Sequence, residues 1–356
     1  MDYMSAREAA DKWGISQRRV AALCSEKRID NASMVGNMWI IPTDAVKPID
    51  ARSTRYVEEK NSQIKPFLKW AGGKGQLIEE IRPFYPFLNS KINKYAEPFI
   101  GGGAVLFDIL SSYHLNEVYI SDINSELINC YTVVRDNIDA LIELLYSYQR
   151  EYVPLSDGKR REYYSQKRQH FNDLKLSCLT GDNVEKAALM IFLNKTCFNG
   201  LYRVNKKGRF NVPIGSYKNP LICDEGNLRS VSGKLQSVQI VCADYRQSAD
   251  FIDENTFVYF DPPYRPLSST ANFTAYNENE FSDQEQIELA EFVGLMSNKG
   301  AMIVVSNSDP KNIDENDNFF DNIYSAHNIK RVDAARMINS NSQGRGKVKE
   351  LLISNF

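Results

Sequence analysis

The four residues Asp261-Pro262-Pro263-Tyr264 are the part of the chain best equipped to do chemistry. Two successive prolines stiffen the backbone and carry no N–H. The Pro262 carbonyl can then stand beside the Asp261 carboxylate as a second acceptor, while Tyr264 offers a flat face to a base. Two acceptors suit an exocyclic amine with two protons. The lone pair of an adenine N6 is delocalised into its ring and attacks poorly. Hydrogen bonds from both amine protons would make the nitrogen more tetrahedral and aim it at a methyl group. The competing reading of the string is a rigid turn. Its place directly after the strand-like run Phe257–Phe260 favours chemistry, because open parallel sheets bind ligands beyond the carboxyl ends of their strands. Two further groups stand at such ends. Gly101-Gly102-Gly103 follows Tyr95–Ile100, and Asp122 follows Val118–Ser121. A glycine turn lets backbone approach a ligand, and a carboxylate about 20 residues later can hold ribose hydroxyls. The full GxGxxG spacing is missing, so these two groups alone would also suit a nucleotide-binding dehydrogenase.

Those groups need a scaffold of alternating strands and helices, and the sequence supplies one. Strands are predicted at 95–100, 118–121, 257–260 and 301–305, with helices after the glycine turn, from about Ser125, and over 282–297. The expected class is α/β with a mostly parallel sheet. The stretch 155–235 interrupts the alternation. It reads as helical over 161–176 and 185–193, then as turn-rich around Gly200, Gly208, Pro213 and Gly215. At the N-terminus, Ser5 and Glu8 form a capping-box pattern at the start of a short helix. A second helix from Ser16 to about Arg28 and a hairpin over 34–42 with a Gly36-Asn37 turn follow. Residues 48–65 are polar and read as a linker.

Composition narrows the field. The chain has 356 residues, 43 Lys+Arg, 45 Asp+Glu and a formal charge of -2. That total gives no sign of a nucleic-acid partner, but its distribution is blocked. Residues 155–235 hold 15 basic and 7 acidic groups, and residues 236–356 hold 10 and 18. A basic insert in an acidic chain suggests a polyanion against one face. No apolar run is long enough to span a membrane, and the start of the chain lacks the pattern of a secretory signal. The expected location is therefore cytoplasmic, with no membrane partner. The six cysteines are scattered and the three histidines isolated, so no metal is expected and the thiols are expected to be free and buried.

With these motifs in view, the chain resembles the Dam family of DNA adenine-N6 methyltransferases. The resemblance is carried by Phe67–Lys74, Glu97–Gly103, Asp122-Ile123-Asn124, Asn199–Arg203, Phe210–Pro213, Asp261–Tyr264 and Thr270–Tyr276, and it spans about 67–356. The order of cofactor motif, recognition insert and Asp-Pro-Pro-Tyr is that of the alpha group of amino-methyltransferases. The resemblance implies a Rossmann-like, S-adenosylmethionine-dependent methyltransferase sheet in two parts, 66–154 and 236–356, around a mainly helical target-recognition domain at 155–235. It implies S-adenosylmethionine as methyl donor, held by Trp70, Lys74, Phe99, Gly101, Gly103, Asp122, Asp244 and Asp261. It implies Asp261, Pro262, Pro263 and Tyr264 as the catalytic group. Double-stranded DNA would meet Lys69, Lys195, Phe198, Asn199, Leu201, Arg203, Pro213 and Tyr217, and the target adenine would leave the duplex. Arg203 could read a guanine edge and Phe198 could fill the gap left by the base. GATC is the best-guess site, although Ser216 stands where Dam relatives commonly carry Arg. A cognate restriction endonuclease is a candidate partner. Residues 1–47 resemble the winged helix-turn-helix domains of excisionase and MerR-type proteins. The alternatives are cytosine-N4 methylation, and a helix-turn-helix regulator with an inactive methyltransferase scaffold.

Overall fold

The computed structural model describes residues 3–13, 16–25, 29, 32–36, 38–43, 45, 64–88, 91–176, 183–265, 281–335 and 347–356. The chain divides into two units, residues 1–63 and 64–356. Of the stretch read as a linker, 48–63 lies outside the described residues, as do the Thr270–Tyr276 block and Cys178.

The first unit runs β1 (Tyr3–Ser5), α1 (Ala6–Trp13), α2 (Gln17–Ser25), β2 (Ser33–Val35) and β3 (Met38–Pro42). Ser5 and Glu8 cap the first helix reciprocally: the Ser5 N–H donates to the Glu8 carboxylate at 2.7 Å and the Glu8 N–H to Ser5 Oγ at 3.3 Å. The strands form an antiparallel sheet in the order β1-β3-β2. Three-residue β1 has too little alternation to be visible in sequence. Ala9, Val20 and Ile41 are fully buried between the helices and the sheet.

The second unit is built on a seven-stranded sheet. Its strands are β4 (Lys94–Glu97), β5 (Glu117–Asp122), β6 (Val238–Cys242), β7 (Thr256–Phe260), β8 (Met302–Ser308), β9 (Asn328–Ala335) and β10 (Lys347–Ser354). The spatial order is β6-β5-β4-β7-β8-β10-β9. The first five in that order run parallel, and β10 enters antiparallel to both β8 and β9. β7 is buried along its whole length, as a central parallel strand covered on both faces must be. β4 stops at Glu97, short of the expected Ile100, because Pro98 has no N–H to continue the ladder. From β4 the chain winds outward to β5 and β6, then returns to β7 on the opposite side of β4. The switch point therefore lies between the carboxyl ends of β4 and β7, where such sheets open a ligand crevice.

The helices α5 (Ser125–Asp136) and α6 (Ile138–Tyr152) flank the sheet, and α7 (Asp157–Leu176), α8 (Val184–Thr196) and α9 (Glu225–Leu235) occupy most of the 155–235 stretch. α8 packs against α5, α6 and α7. Phe171, Leu189 and Phe192 share one apolar cluster with Ile100 and Leu106 beside the sheet. Residues 197–224 carry only the antiparallel bridges Cys197–Ile214 and Val204–Phe210 outside short helical turns. Cys24, Cys130, Cys197 and Cys223 are buried free thiols, but Cys242, at the end of an edge strand, is exposed. No described helix is long and apolar enough to cross a membrane.

Candidate active site

The crevice at the switch point is a cavity of about 700 Å³. Its walls come from strand ends, from the loop that precedes the sheet, and from Phe281 and Glu285 at the start of the helix Asp283–Asn298. Glu97, Phe99 and Gly101–Gly103 follow β4, Asp122 ends β5, Asp244 and Tyr245 follow β6, and Asp261–Tyr264 follow β7. Trp70 and Lys74 come from the loop before α3 (Ile78–Ile81). All eight residues expected around the cofactor thus line one cavity, together with all four of the Asp-Pro-Pro-Tyr string.

The glycine turn is shaped by what surrounds it. Gly103, at the N-terminus of α4 (Ala104–Ser112), has φ of 70°. A Cβ there would stand 2.5 Å from the Tyr131 hydroxyl, which itself donates to the Gly101 carbonyl. The Gly101 N–H donates to Asp122 Oδ2 at 3.2 Å and the Asn124 N–H to Asp122 Oδ1 at 2.9 Å. These amides hold the carboxylate, but burial dominates and pushes its pKa up to about 6. Phe99 stacks on Tyr245 with ring centroids 5.4 Å apart, forming an aromatic wall. Asp244 is bound to Arg246 at 3.0 Å, and Arg246 also pairs with Glu288.

Asp261 is held by two donors on one oxygen. Lys74 Nζ, only 7% exposed, lies 2.8 Å from Asp261 Oδ1, 2.7 Å from the Gly72 carbonyl it donates to, and 4.3 Å from the centre of the Tyr264 ring. Ser306 Oγ donates to the same Asp261 Oδ1 at 2.8 Å. Burial raises the Asp261 pKa, opposed by Lys74 and then by Ser306. The Pro263 carbonyl accepts from Gln286 at 3.0 Å, and the Tyr264 hydroxyl donates to Glu350 at 2.7 Å. These contacts engage Asp261 Oδ1, the Pro263 carbonyl and the Tyr264 hydroxyl. Asp261 Oδ2 and the Pro262 carbonyl have no hydrogen-bond partner among the described residues. They are a pair of acceptors beside a cavity, which is what an amine with two N–H donors requires.

The residues expected at DNA lie beside this cavity rather than within it. Phe198 and Asn199 are exposed, and Asn199 is the one described non-glycine residue with positive φ, at 55°. Arg203 and Pro213 are exposed as well, with Arg203 Nε donating to Asn211 at 2.8 Å. Leu201, Tyr217 and Lys195 are partly buried. Desolvation, then Lys69, lowers the Lys195 pKa. Lys69 Nζ reaches the Tyr217 hydroxyl at 3.3 Å and lies 4.5 Å from its ring centre. The stretch 194–202 is tied to the cavity wall at two points. Trp70 stacks on Tyr202 at 5.4 Å, and Asn194 bonds both the N–H and the carbonyl of Lys69, at 2.8 and 2.7 Å, as well as the Gly200 carbonyl at 2.9 Å.

Several residues of the site gave no signal strong enough to single them out in sequence. Asn194 is a polar residue inside an apolar helix, which is a weak cue. Ser306 and Glu350 approach the catalytic motif from β8 and β10, far along the chain. Glu97 precedes the glycine turn and is 2% exposed; Tyr95 donates to it at 2.7 Å. Burial, with Asp261 nearby, raises the Glu97 pKa well above the usual carboxylate range. Among the described residues no group of His, Cys, Asp and Glu could hold a metal ion.

Comparison with known proteins places this site in a family. Residues 70–338 match the model for the D12 class N6 adenine-specific DNA methyltransferases. A type II methyltransferase of Methanocaldococcus jannaschii is 48% identical over 297 residues, covering 83% of this chain and 100% of that protein. A type II methyltransferase of Lactococcus lactis subsp. cremoris is 37% identical, covering 84% of this chain and 98% of its own. The DNA adenine methylase of Escherichia coli is 35% identical, covering 81% and 94%. The matched span includes the whole cavity described above, from Trp70 through the Asp-Pro-Pro-Tyr string to Glu285. This chain therefore belongs to the D12 class of N6 adenine-specific DNA methyltransferases.

Proposed function

We propose that this enzyme methylates adenine N6 at a specific duplex DNA site, with S-adenosylmethionine as donor and with the target base turned out of the helix. The observation that carries the reading is the pair of unengaged acceptors, Asp261 Oδ2 and the Pro262 carbonyl, set beside the Tyr264 ring. An adenine lying against Tyr264 would give one N6 proton to each. The nitrogen lone pair would then point out of the base plane, toward the cavity.

The cavity's charge supports this donor over a dinucleotide. Its lining holds the carboxyls Glu97, Asp122, Asp244, Asp261 and Glu285 against the cations Lys74 and Arg246. Both cations are already paired with carboxylates. A pyrophosphate would meet this acidic surround unfavourably, whereas a ligand with sulfonium and ammonium groups complements it. The volume lies within the range of small-ligand sites. Asp122 would accept from ribose hydroxyls, and the Phe99–Tyr245 wall would pack against an adenine ring. S-adenosylmethionine, when bound, supplies an electrophilic methyl group. This chain's residues orient the amine, exclude water and let the developing positive charge on nitrogen fall beside the Asp261 carboxylate.

For recognition, Lys69, Arg203, Leu201, Pro213 and Tyr217 are proposed to face base edges, Phe198 and Asn199 the gap left in the stack, and Lys195 a phosphate. The target-recognition role is assigned to 155–235, with GATC as the reference site to test first. A restriction endonuclease reading the same sequence is the proposed partner. The first unit is proposed to be a winged helix-turn-helix module that touches DNA through the start of α2. Methylation-aware sequencing of DNA from cells expressing the wild type and Asp261→Ala tests the central reading. The wild type should leave N6-methyladenine in one sequence context and the variant none. Modification that persists in the variant would refute the role of Asp261.

A further inference from the structure

The catalytic carboxylate has two oxygens, and only one can face the substrate. A buried chain of hydroxyls lies behind the motif. Tyr259, on β7, donates to Ser306 Oγ at 3.0 Å, and Ser306, on the neighbouring strand β8, donates to Asp261 Oδ1 at 2.8 Å. Both Tyr259 and Ser306 are fully buried. Parallel pairing of Phe260 with Val305 sets the register that brings Ser306 alongside Asp261.

We propose that Ser306 is a positioning residue for methyl transfer, with Tyr259 behind it: the pair locks Asp261 Oδ1 and so presents Oδ2 to the target amine. The inference rests on the reading of Asp261 as an acceptor for the adenine amine. A serine hydroxyl has one proton. Because its oxygen accepts from Tyr259, its proton is directed to the carboxylate, the stronger acceptor, rather than to the Phe260 carbonyl at 3.4 Å. Lys74 lies 2.8 Å from the same Oδ1. Two donors on one oxygen fix the carboxylate's rotation about its Cβ–Cγ bond. Without Ser306 the carboxylate could turn about Lys74, and either oxygen could face the cavity.

The same bond helps keep Asp261 ionised. The groups whose charge bears on Asp261 are Lys74, Glu97, Tyr259 and Tyr264, with Glu350 beyond Tyr264. Of these only Lys74 is cationic and it opposes burial most, with the Ser306 hydroxyl donor acting in the same direction after it. A protonated Asp261 is uncharged and presents fewer acceptor lone pairs, so it holds the amine more weakly. Removing a donor to the ionised form raises the carboxyl pKa, so the acid limb of the rate moves to higher pH.

The test is single-turnover methylation by the full chain, with cofactor and DNA saturating, over pH 5 to 9, for the wild type, Ser306→Ala, Tyr259→Phe and Asp261→Ala. Ser306→Ala should slow transfer about ten- to a hundredfold at neutral pH, as expected for losing one charge-assisted hydrogen bond. Its acid limb should move upward by about one pH unit. Tyr259→Phe should move both in the same direction by less, and calorimetry should find S-adenosylmethionine affinity in both variants within about threefold of wild type. An unchanged rate and limb in Ser306→Ala, with Asp261→Ala inactive, overturns this inference alone. A fully active Asp261→Ala overturns the reading beneath it. A rate lost together with cofactor binding in both hydroxyl variants would show general damage and also overturn the proposal.

Discussion

Replacing Lys74 by Met tests whether this lysine exists to keep a buried carboxylate charged. The substitution removes the cation 2.8 Å from Asp261 Oδ1 and leaves Ser306 as that oxygen's remaining donor. It also frees the Gly72 carbonyl and takes the cation from the Tyr264 face. The Asp261 side chain is 20% exposed and that of Lys74 7%, so solvent screens the pair little. Breaking such a pair costs about 3 to 5 kcal/mol when the remaining charge stays in place. Asp261 can escape part of that cost by taking a proton, because burial already raises its pKa and loss of Lys74 raises it further. Glu97, which also feels Lys74, shifts in the same sense. A carboxyl whose folded pKa lies above its unfolded value near 3.9 favours folding when protonated. That contribution is complete below the unfolded pKa and is lost as pH rises through the folded one.

Lys74→Met should therefore be about 3 kcal/mol less stable than wild type at pH 8. The difference should shrink on acidification by about 1.4 kcal/mol for each pH unit between the variant's Asp261 pKa and the lower wild-type one. Urea denaturation of both proteins at unit intervals from pH 5 to 8 measures this directly. Asp261→Asn in the Lys74→Met background should remove most of the pH dependence. A stability difference that is constant with pH, or larger at pH 5, would falsify the electrostatic account.

Three other outcomes follow from the geometry. On the proposed role of Asp122, whose pKa is pushed up to about 6, the ionised carboxylate accepts from ribose hydroxyls more strongly than the neutral acid, so S-adenosylmethionine affinity should weaken below about pH 6; Asp122→Asn should bind weakly at every pH by calorimetry. Gly200→Ala places a Cβ 2.7 Å from Lys69 Cβ at a φ of +65°, so site-specific methylation should fall at least tenfold while cofactor affinity holds; unchanged methylation would show that the turn can open freely. Arg203→Ala should cost about 1 to 3 kcal/mol at the cognate site and relax discrimination at one base position, whereas Lys206→Ala, at an exposed cation, should weaken all duplexes alike and flatten the salt dependence of binding; equal losses on cognate and altered sites for Arg203→Ala would refute a base-reading role.

The residues that line the cavity were legible where they are compact in sequence. Asp261-Pro-Pro-Tyr264 and Gly101–Gly103 each place their functional groups within a few residues, and each follows an apolar strand that announces it. The alternation of strands and helices sufficed for the α/β class. Less legible were the sheet's antiparallel end and the residues it delivers. β9 and β10 mix charged and apolar residues in a way that hides their period, yet they carry Glu350 to Tyr264. The formal charge of -2 misled about DNA because it averages a basic 155–235 stretch with an acidic carboxyl-terminal one. The thiol at Cys242 is exposed because β6 is an edge strand, and edge position is a property of the sheet rather than of the strand's own residues.

By itself the sequence determined which groups are present: an acid and two prolines after a buried strand, a glycine turn, a second acid about 20 residues on, and a cationic insert. Local steric and hydrogen-bonding preferences act within a few residues, so such groups can be read in one dimension. Which atoms of those groups remain available was decided only in three dimensions. Gln286, Ser306 and Glu350 lie 23, 45 and 86 residues from the motif residues they bond. Strand order β7-β8-β10 brings Ser306 and Glu350 to the motif, and the helix Asp283–Asn298 brings Gln286. Once those donors and acceptors are satisfied, Asp261 Oδ2 and the Pro262 carbonyl are left facing the same task. Hydrogen-bond capacity is finite, and only the folded chain settles how it is shared.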